Sequence, residues 1–340
     1  MIILGPEEAS WDIPGQEGKI MDQVTVEARS RRKNHFTGLA IVTVTYNSAE
    51  VLPDFLNSLL ADKSLPQARV YLVDNCSTDQ TIRIAREFLP SLNLTVISNS
   101  SNIGFAGGSN QGIARALAEN AEWILLVNND TIIPPKTLGG LVELATTNNL
   151  YILSPTIEGT DPANTVWYSG GSISPFQGMK TRHGNMGSAM SAAPSGLHQT
   201  EYAPACCLLV HQSVFRRIGA LDNDYFVYFE DADFSLRAQA AGFQYWVSGD
   251  HNIIHKASSL TGGYLSSFTV HWMTKNWVII ARKRCTQIQR VSAYAYMQLW
   301  MFARVALRKD TWSRFVQRQE AFVEGLRAPL TPHGSYIDFQ

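Results

Sequence analysis

An alternation of apolar strands and amphipathic helices over residues 39–145 constrains the fold of this chain more than any other feature of its sequence. Residues 39–45 form a continuous apolar and β-branched run, which is typical of a strand buried on both faces. The same order of strand and helix then recurs. Strands are predicted at 39–45, 69–73, 94–97 and 123–127, and helices at 49–61, 81–89, 112–118 and 138–145. This order predicts an α/β fold with a mostly parallel sheet flanked by helices.

The composition of the 340 residues excludes several classes of protein. A chain of this length buries enough surface for one large domain or two modest ones, which excludes a disulfide-stapled miniprotein. The formal net charge of −1 argues against a nucleic-acid partner, because such a partner requires a strong positive field. The cysteines form no CxxC pair and no zinc-binding spacing, which favours reduced thiols: Cys76, Cys206, Cys207 and Cys285.

The sequence predicts neither a signal peptide nor a membrane span. Glu7, Glu8 and Asp12 interrupt any apolar run at the N-terminus. No stretch of about 18 uncharged apolar residues follows. We therefore expect a cytoplasmic protein, either soluble or peripheral on the inner face of the cell membrane. Met21 is an alternative start to Met1.

Changes in composition divide the chain into three parts. Residues 1–36 are polar and lack periodicity, so we expect a flexible N-terminal tail. Residues 37–263 are expected to form the main domain. The alternation of strands and helices stops between 151 and 200, where frequent Gly, Ser and Pro predict an irregular binding loop. Residues 264–340 are expected to be a helical, basic and aromatic region, since 275–327 carry 11 Lys/Arg against 3 Asp/Glu.

Polar clusters follow three of the predicted strands, at the edge where the carboxyl ends of parallel strands meet. They comprise Thr45-Tyr46-Asn47, Asp74-Asn75-Cys76-Ser77-Thr78-Asp79 and Asn128-Asn129-Asp130. In open α/β sheets, ligands bind beyond that edge. Each cluster alone is equally typical of a turn, because Asn, Asp and Ser favour turns. Three clusters on one edge favour a binding site.

A glycine-rich segment follows the third predicted strand, and it reads Asn102-Ile103-Gly104-Phe105-Ala106-Gly107-Gly108. Glycines allow the backbone to approach a ligand, and the helix after them offers free N–H groups to a phosphate. The segment is not GxGxxG, so a nicotinamide cofactor is not favoured. It also lacks the Gly-Lys-Ser/Thr of a P-loop.

Acidic residues between 222 and 233 are interleaved with aromatic ones and include three candidate general bases: Glu230, Asp231 and Asp233. A partly buried carboxylate can be tuned to accept a proton. In the alternative interpretation, Asp231 or Asp233 caps the helix predicted at 232–241, and Arg237 pairs with a helix carboxylate.

His255 ends the apolar stretch 252–254. A lone histidine in such a place is commonly a structural residue. The other interpretation is that Asp130 and His255 together hold a divalent ion that bridges a diphosphate.

Five motifs stand in the order seen in family 2 glycosyltransferases, and the chain resembles that family over about residues 39–284. The motifs are Thr45-Tyr46-Asn47, the segment 73–79, the segment 102–108, Leu126-Val127-Asn128-Asn129-Asp130 and Phe229-Glu230-Asp231-Ala232-Asp233. Within the family the chain is most similar to bacterial rhamnosyltransferases of surface polysaccharide synthesis. The resemblance implies a GT-A (nucleotide-diphospho-sugar transferase) fold and an inverting transfer from a nucleotide-diphosphate sugar donor.

The resemblance also implies roles for individual residues. Asp231 matches the catalytic base and stands with Glu230 in the Glu-Asp motif. Asp130 and His255 match metal ligands, which implies Mg²⁺ or Mn²⁺, and Asn128 replaces the first Asp of the family's Asp-x-Asp motif. The residues implied in binding the donor nucleotide, with Asp74 on the base, are Thr45, Tyr46, Asn47, Asp74, Ser77, Asp79, Asn102, Gly104, Phe105, Asn128 and Asn129.

Candidates for the acceptor or sugar pocket are Trp167, Gly170, Cys206 and Asp233. The face of Trp167 suits a sugar ring, and core packing is the alternative. Ala205-Cys206-Cys207 resembles the family's segment near the acceptor, and we interpret its cysteines as small packing residues rather than nucleophiles.

The basic and aromatic stretch after residue 264 has two interpretations. In one, it is a membrane-surface helix that brings the enzyme to a polyprenyl-diphosphate-linked acceptor. In the other, it is an ordinary helical subdomain or a homo-oligomer interface.

The predicted function is therefore transfer of L-rhamnose from dTDP-rhamnose to a glycan or lipid-linked glycan acceptor, as in O-antigen synthesis. The alternatives are a UDP-hexose-dependent transferase, a non-catalytic protein that binds a sugar nucleotide, and a nucleotidyltransferase. The presence of Glu230, Asp231 and His255 speaks against a non-catalytic protein.

Overall fold

A computed structural model describes residues 38–65, 67–256 and 265–331. The predicted tail, 1–36, and the predicted domain boundary at 263/264 lie outside the described residues. The strands are β1 (Leu39–Thr45), β2 (Arg69–Asp74), β3 (Leu94–Ser98), β4 (Trp123–Val127), β5 (Thr131–Ile132), β6 (Ile152–Thr160), β7 (Ala163–Tyr168), β8 (Gly171–Ser174), β9 (Lys180–His183), β10 (Leu197–Thr200), β11 (Cys207–His211) and β12 (Tyr245–His255). The helices are α1 (Leu52–Ala61), α2 (Thr81–Glu87), α3 (Gly104–Ala118), α4 (Thr137–Thr147), α5 (Gln212–Ile218), α6 (Glu230–Ala240), α7 (Ser267–Arg284), α8 (Gln287–Ala306) and α9 (Trp312–Arg327).

The central sheet has the strand order β10-β12-β6-β11-β4-β1-β2-β3 in the part of the chain that the structure describes. Strand β1 pairs in parallel with β2 and β4, and β2 pairs in parallel with β3, as the alternation predicts. Strand β11 pairs antiparallel with both β4 and β6, so the second half of the sheet is mixed. The strands β1 and β4 are almost completely buried, which accounts for their continuous apolar sequence.

The segment 151–200 is not the irregular loop that its composition predicts. It contains β6 to β10, and β6 pairs in parallel with the distant β12. Strands β8 and β9 form a separate hairpin around a 3₁₀ turn at Pro175–Gln177. Strands β6 and β10 pair with the distant β12, so local periodicity does not indicate their pairing.

Helix α3 begins at Gly104, eight residues before the predicted start at 112. Its glycines allow the helix to pack closely on β1. A Cβ atom at Gly108 would lie 2.9 Å from a methyl carbon of Val44, and one at Gly112 would lie 2.4 Å from a methyl carbon of Val42. Glycine-rich sequence in this segment therefore serves helix–strand packing as well as the loop at its start.

The helices α7 to α9 at the end of the described chain are held by ion pairs that use much of the local basic excess. Lys283 pairs with Asp222 and Asp224, and Arg284 pairs with Asp233. A second network joins the buried Asp310 to three arginines: Arg304, Arg314 and Arg318. Among the described residues, no helix combines the length and the apolar character that crossing a bilayer requires.

Candidate functional site

A cavity of about 700 Å³ opens at the carboxyl ends of β1 and β4 and extends over the start of α6. Residues from nine separate stretches of the chain line it, and they include most of the predicted catalytic, metal and sugar residues. The predicted residues that line it are Phe105, Asn128, Asn129, Asp130, Trp167, Cys206, Glu230, Asp231 and His255.

Asp231 lies in the first turn of α6, where the chain turns sharply into the helix. Tyr228 and Phe229 adopt left-handed φ angles of 72° and 71° in this turn. One oxygen of Asp231 accepts a hydrogen bond of 2.9 Å from the Tyr202 hydroxyl, and the other accepts one of 2.7 Å from the Ala232 backbone N–H. Burial raises the pKa of Asp231, against the opposing effect of these hydrogen bonds. The carboxylate is therefore oriented and a better proton acceptor than an exposed one.

Glu230 is buried beside Asp231, and its Oε2 has no hydrogen-bond partner among the described residues. Burial is the main cause of a strongly raised pKa for Glu230, and the charge of Asp231 raises that pKa further. Two buried like charges on adjacent residues are unfavourable together. The arrangement favours a protonated Glu230 next to an ionised Asp231.

Asp130 and His255 meet through strand pairing. Strand β5 pairs antiparallel with the end of β12, which places His255 opposite Thr131, the neighbour of Asp130. His255 Nε2 lies 3.2 Å from Asp130 Oδ1, and both side chains are more than 90% buried, with exposures of 7% and 8%. The edge of the His255 ring contacts Trp167, with ring centroids 4.8 Å apart.

The predicted nucleotide residues at the ends of β1 and β2 form their own hydrogen-bonded cluster. The parallel register places Thr45 opposite Asp74, and the Thr45 hydroxyl donates to Asp74 Oδ1 at 2.8 Å. The backbone N–H of Ser77 donates to the other oxygen of Asp74 at 2.9 Å. The Asn47 N–H donates to Ser77 Oγ at 2.8 Å, and Tyr46 is 47% exposed beside it. These residues lie at the same sheet edge as the cavity but do not line it.

Asp79 caps the turn between β1 and α1 rather than pointing into the cavity. Its carboxylate accepts the backbone N–H groups of Ala49, at 3.0 Å, and Thr81, at 2.9 Å. Although burial alone would raise it, the pKa of Asp79 is lowered by these hydrogen bonds and one from the Thr81 hydroxyl. The charge of Asp79 is thereby used to hold the cluster together.

The start of α3 is fastened to the loop that leads into α6. Asn102 Oδ1 accepts the Gly104 N–H at 2.9 Å, and the Phe105 N–H donates to the Phe226 carbonyl at 2.7 Å. Gly104 has a φ of +81°, and a Cβ there would lie 2.3 Å from the Phe226 oxygen. Only glycine fits this approach, so the position of Phe105 in the cavity depends on Gly104.

The two asparagines before Asp130 differ in what they contact. The Asn128 backbone N–H donates to the Cys206 carbonyl at 3.0 Å, and the buried Asn129 amide donates to the Val44 carbonyl. Burial raises the pKa of Cys206 far above its usual range, so the side chain is a neutral thiol at physiological pH. Gly170 does not line the cavity, and its carbonyl accepts the Gly184 N–H at 2.6 Å.

Asp233 requires a correction, because it does not line the predicted sugar pocket. Its side chain is 0% exposed and lies between two guanidinium groups, with Arg237 Nε at 2.8 Å and Arg284 Nε at 2.6 Å. Despite the opposing effect of burial, these charges lower the pKa of Asp233. The alternative interpretation, in which Arg237 pairs with a helix carboxylate, is the one that the structure shows.

Among the lining residues that were not anticipated from the sequence, His183 and Tyr202 contact candidate site residues directly. His183, at the end of β9, faces the Trp167 carbonyl through Nδ1 at 3.1 Å and packs against the Trp167 ring at 4.4 Å. Tyr202 stacks on His183 at 5.9 Å and holds Asp231. Both come from the segment 151–202, and the interleaved aromatic residues there were the available signal.

A comparison of the sequence with protein-family models identifies one family. The family model for glycosyl transferase family 2 matches residues 40–219, which is more than half of the chain. The chain belongs to glycosyl transferase family 2. The family assignment predicted from the five motifs is therefore confirmed.

Two curated relatives share most of their length with this glycosyltransferase. It is 25% identical over 285 residues to the low-salt glycan biosynthesis hexosyltransferase of Haloferax volcanii, covering 80% of this chain and 85% of the relative. It is 29% identical over 255 residues to the N-acetylglucosaminyl-diphospho-decaprenol L-rhamnosyltransferase of Mycobacterium tuberculosis, covering 68% of this chain and 81% of the relative.

Solved structures share the fold. The crystal structure of S. aureus TarS in complex with UDP-GlcNAc matches with a TM-score of 0.55 at 17% identity, over 85% of this chain and 81% of that one. This likeness confirms the predicted GT-A fold with C-terminal helices.

A divalent cation fits the Asp130–His255 pair only if other ligands complete its shell. Carboxylate and imidazole are donors that Mn²⁺ accepts, and His255 Nδ1 is buried without a hydrogen-bond partner among the described residues. Among those residues no group of three or more His, Cys, Asp or Glu side chains could hold a metal. Mg²⁺ and Mn²⁺ sites with few protein ligands commonly use substrate phosphate oxygens. The pair therefore fits a cation that is shared with the diphosphate of a donor.

The structural role of Asp233 predicts a contrast between two identical chemical changes. Asp233→Asn leaves Arg237 and Arg284 without their buried counter-charge, so the free energy of unfolding should fall by about 3–5 kcal/mol. Asp231→Asn removes a carboxylate whose charge burial disfavours, so the stability should be unchanged or higher. Urea unfolding of both variants measures the difference. An equal loss of unfolding free energy in the two variants would contradict the structural role of Asp233.

The environment of His183 predicts a pH dependence of stability. Burial lowers the pKa of His183 from 6.5 to about 4. As pH falls, the unfolded chain takes up this proton first. The stability that depends on neutral His183 is complete above pH 6.5 and should decrease towards pH 4, by up to about 3 kcal/mol. Unfolding at several pH values should show a shallower decrease for His183→Asn than for the wild type. If the free energy of unfolding of the two proteins changed with pH in the same way, the assignment of this pH dependence to His183 would be wrong.

Proposed function

We propose that this family 2 glycosyltransferase is an inverting enzyme that moves L-rhamnose from dTDP-rhamnose to a glycan or a polyprenyl-diphosphate-linked glycan acceptor in surface polysaccharide synthesis. The observation that carries the proposal is the position of Asp231, which lines one cavity together with Asp130 and His255. The mycobacterial relative, an L-rhamnosyltransferase by name, supports the sugar and the lipid-linked acceptor.

Asp231 is the proposed general base. Its carboxylate takes the proton of the acceptor hydroxyl while that oxygen attacks the anomeric carbon of the donor sugar. The new carbon–oxygen bond forms as the bond to the nucleotide diphosphate breaks on the opposite face, so the anomeric configuration inverts. The hydrogen bonds from Tyr202 and Ala232 hold the carboxylate in one orientation during the transfer.

A protonated Glu230 would leave the negative charge of the pair on Asp231, the proposed base. Because burial and the neighbouring carboxylate both raise the pKa of Glu230, a proton on this pair is favoured on Glu230 rather than on Asp231. A second anion at this place would repel the leaving diphosphate. The neutral Glu230 therefore serves the reaction by remaining uncharged.

The leaving diphosphate would lie towards Asp130 and His255, opposite the base. A divalent cation bound there supplies positive charge to the departing diphosphate. Asp130, which follows β4, and His255, at the end of β12, would hold that cation. On this proposal the nucleotide itself extends over the Thr45–Asp74–Ser77 cluster, whose hydrogen bonds fix the sheet edge before a donor arrives.

A UDP-hexose is the alternative donor, because the chain shares its fold with TarS, whose structure was solved with UDP-GlcNAc. A ligand present at 100 times its dissociation constant stabilises a protein by about 2.7 kcal/mol. Thermal unfolding with dTDP-rhamnose and with UDP-hexoses, with and without Mg²⁺ or Mn²⁺, should show the largest shift with dTDP-rhamnose and the cation. If only UDP-sugars raised the unfolding temperature, the proposed mechanism would stand and the donor would be a UDP-hexose.

The role of Asp231 predicts a separation of turnover from binding. Asp231→Asn should lower kcat by about 10²–10⁴-fold, because the amide cannot accept the proton. Binding of dTDP, measured by calorimetry, should be unchanged, since Asp231 lies away from the nucleotide cluster. Asp250→Asn, at an exposed position on β12, is the matched control and should keep full turnover.

Three results would contradict the proposal. Normal sugar transfer by Asp231→Asn would exclude this residue as the base. Tight donor binding by the wild type without transfer to any acceptor would favour the non-catalytic alternative. Release of pyrophosphate from a nucleoside triphosphate would instead indicate a nucleotidyltransferase.

A further inference from the structure

Helix α8 exposes an apolar face along its whole length, which we name the α8 stripe. Its large members are unusually exposed: Ile288 (77%), Val291 (71%), Leu299 (70%) and Phe302 (62%). Ala295 and Ala306 are exposed between and beyond them. These six residues follow one another at spacings of three and four, so they form a single line of about 27 Å on one side of the helix.

The α8 stripe is separate from the face that packs on the protein. Ala293, Met297 and Met301 are buried on the inner side of α8. The helix is therefore apolar on two sides, and only the inner side is covered by the described residues. A continuous exposed apolar surface of this size on a protein marks an interaction site.

Exposed apolar side chains from neighbouring segments extend the α8 stripe at both ends. Near its C-terminal end, Leu307 and Trp312 are 66% and 64% exposed. Near its N-terminal end, Ser292 donates to the Phe176 carbonyl at 3.0 Å, and the Phe176 ring is 58% exposed. Exposed tryptophan next to aliphatic residues is characteristic of the layer between lipid tails and headgroups.

The charges around the stripe decide between a second copy of this chain and a lipid surface. Residues 286–309 contain four cations and no Asp or Glu. Of these, Arg304 pairs with Asp310, and Arg290 donates to the carbonyls of Arg282 and Cys285. A second α8 helix packed on the stripe would offer no carboxylate to the remaining two cations, Arg308 and Lys309. Arg308 and Lys309 are exposed and form no ion pair with the described residues. An anionic headgroup layer supplies the missing negative charge.

We propose that the α8 stripe, with Phe176, Leu307 and Trp312, docks this enzyme on a membrane surface that carries anionic phospholipids. The helix lies along the surface and does not cross it. The inference goes beyond sugar transfer and stands on the exposed face and its charge alone, so it does not depend on the identity of the donor.

The β8–β9 hairpin connects the α8 stripe to the candidate site. Phe176 lies in the turn of the hairpin beside α8, and His183 at its far end lines the cavity. Seven residues separate them, so they are at most about 24 Å apart. Lys180 in the hairpin lies over the rings of Trp277, Tyr296 and Trp300, at 5.4, 5.7 and 5.2 Å from their centroids. The hairpin therefore links the surface proposed to bind the bilayer to the wall of the cavity.

Flotation with lipid vesicles tests the proposal on the full chain. The wild type should float with vesicles of phosphatidylethanolamine and phosphatidylglycerol and bind much more weakly to pure phosphatidylcholine. Leu299→Gln with Phe302→Gln should weaken binding to the anionic vesicles by about tenfold or more. Arg308→Gln with Lys309→Gln should weaken it at low salt and remove its salt dependence.

The control places the same change elsewhere on the surface. Leu89→Gln alters a leucine that is 44% exposed at the end of α2, and it should bind vesicles like the wild type. All these positions are exposed, so the variants should fold and keep their turnover of a short, water-soluble acceptor.

Two outcomes would overturn the proposal. In the first, the wild type does not bind anionic vesicles, or the Leu299/Phe302 variant binds them as the wild type does. In the second, sedimentation without lipid shows a dimer that this variant abolishes, and no vesicle binding accompanies it. The second result would assign the α8 stripe to a second copy of the chain.

Discussion

The buried ion pairs of Asp233 hold the candidate site in place. Asp233 joins Arg237 of its own helix to Arg284 at the end of α7. Arg237 in turn donates to the carbonyls of Ile218 and Ala220, both at 2.7 Å. One carboxylate thus fixes the start of α6 against α7 and the end of α5. Asp231 lies two residues earlier on α6, so its orientation towards the cavity depends on this network. Removing one partner of such a network is costly because the others remain charged and buried.

Neighbouring carboxylates of one motif therefore have opposite properties. Glu230 and Asp231 face the cavity, where burial raises their pKa values. Asp233, on the same helix, is at least as deeply buried, yet two guanidinium groups lower its pKa. The difference arises from the partners, since burial alone acts in the same direction on all three. A pattern of acidic residues in sequence indicates a site, but the partners decide which acid can exchange a proton.

The sequence predicted the part of the fold that depends on local pattern. Strands β1 to β4 and their helices follow from apolar runs and periodicity, and their parallel pairing follows from the connections between them. The strands between 151 and 200 were missed, because β6 finds its partner β12 almost a hundred residues later. Contacts between segments that are distant in sequence also limited the prediction of the site residues. Asp130, His255, Glu230 and Asp231 were recognisable as motif residues, whereas His183 and Tyr202 belong to the part of the fold that pattern does not describe.

The elements beyond the matched family segment complete the site. The match ends at residue 219, and Glu230, Asp231 and His255 all lie after it. Helix α7 then closes the structure around them. Asn276 donates to the carbonyls of Val227 and Tyr228, at 2.8 and 3.1 Å, and so supports the left-handed turn before Asp231. The first half of the chain builds the sheet edge, and the second half adds Glu230, Asp231 and His255. Because α7 supports that turn, the orientation of Asp231 depends on a helix that lies outside the matched segment.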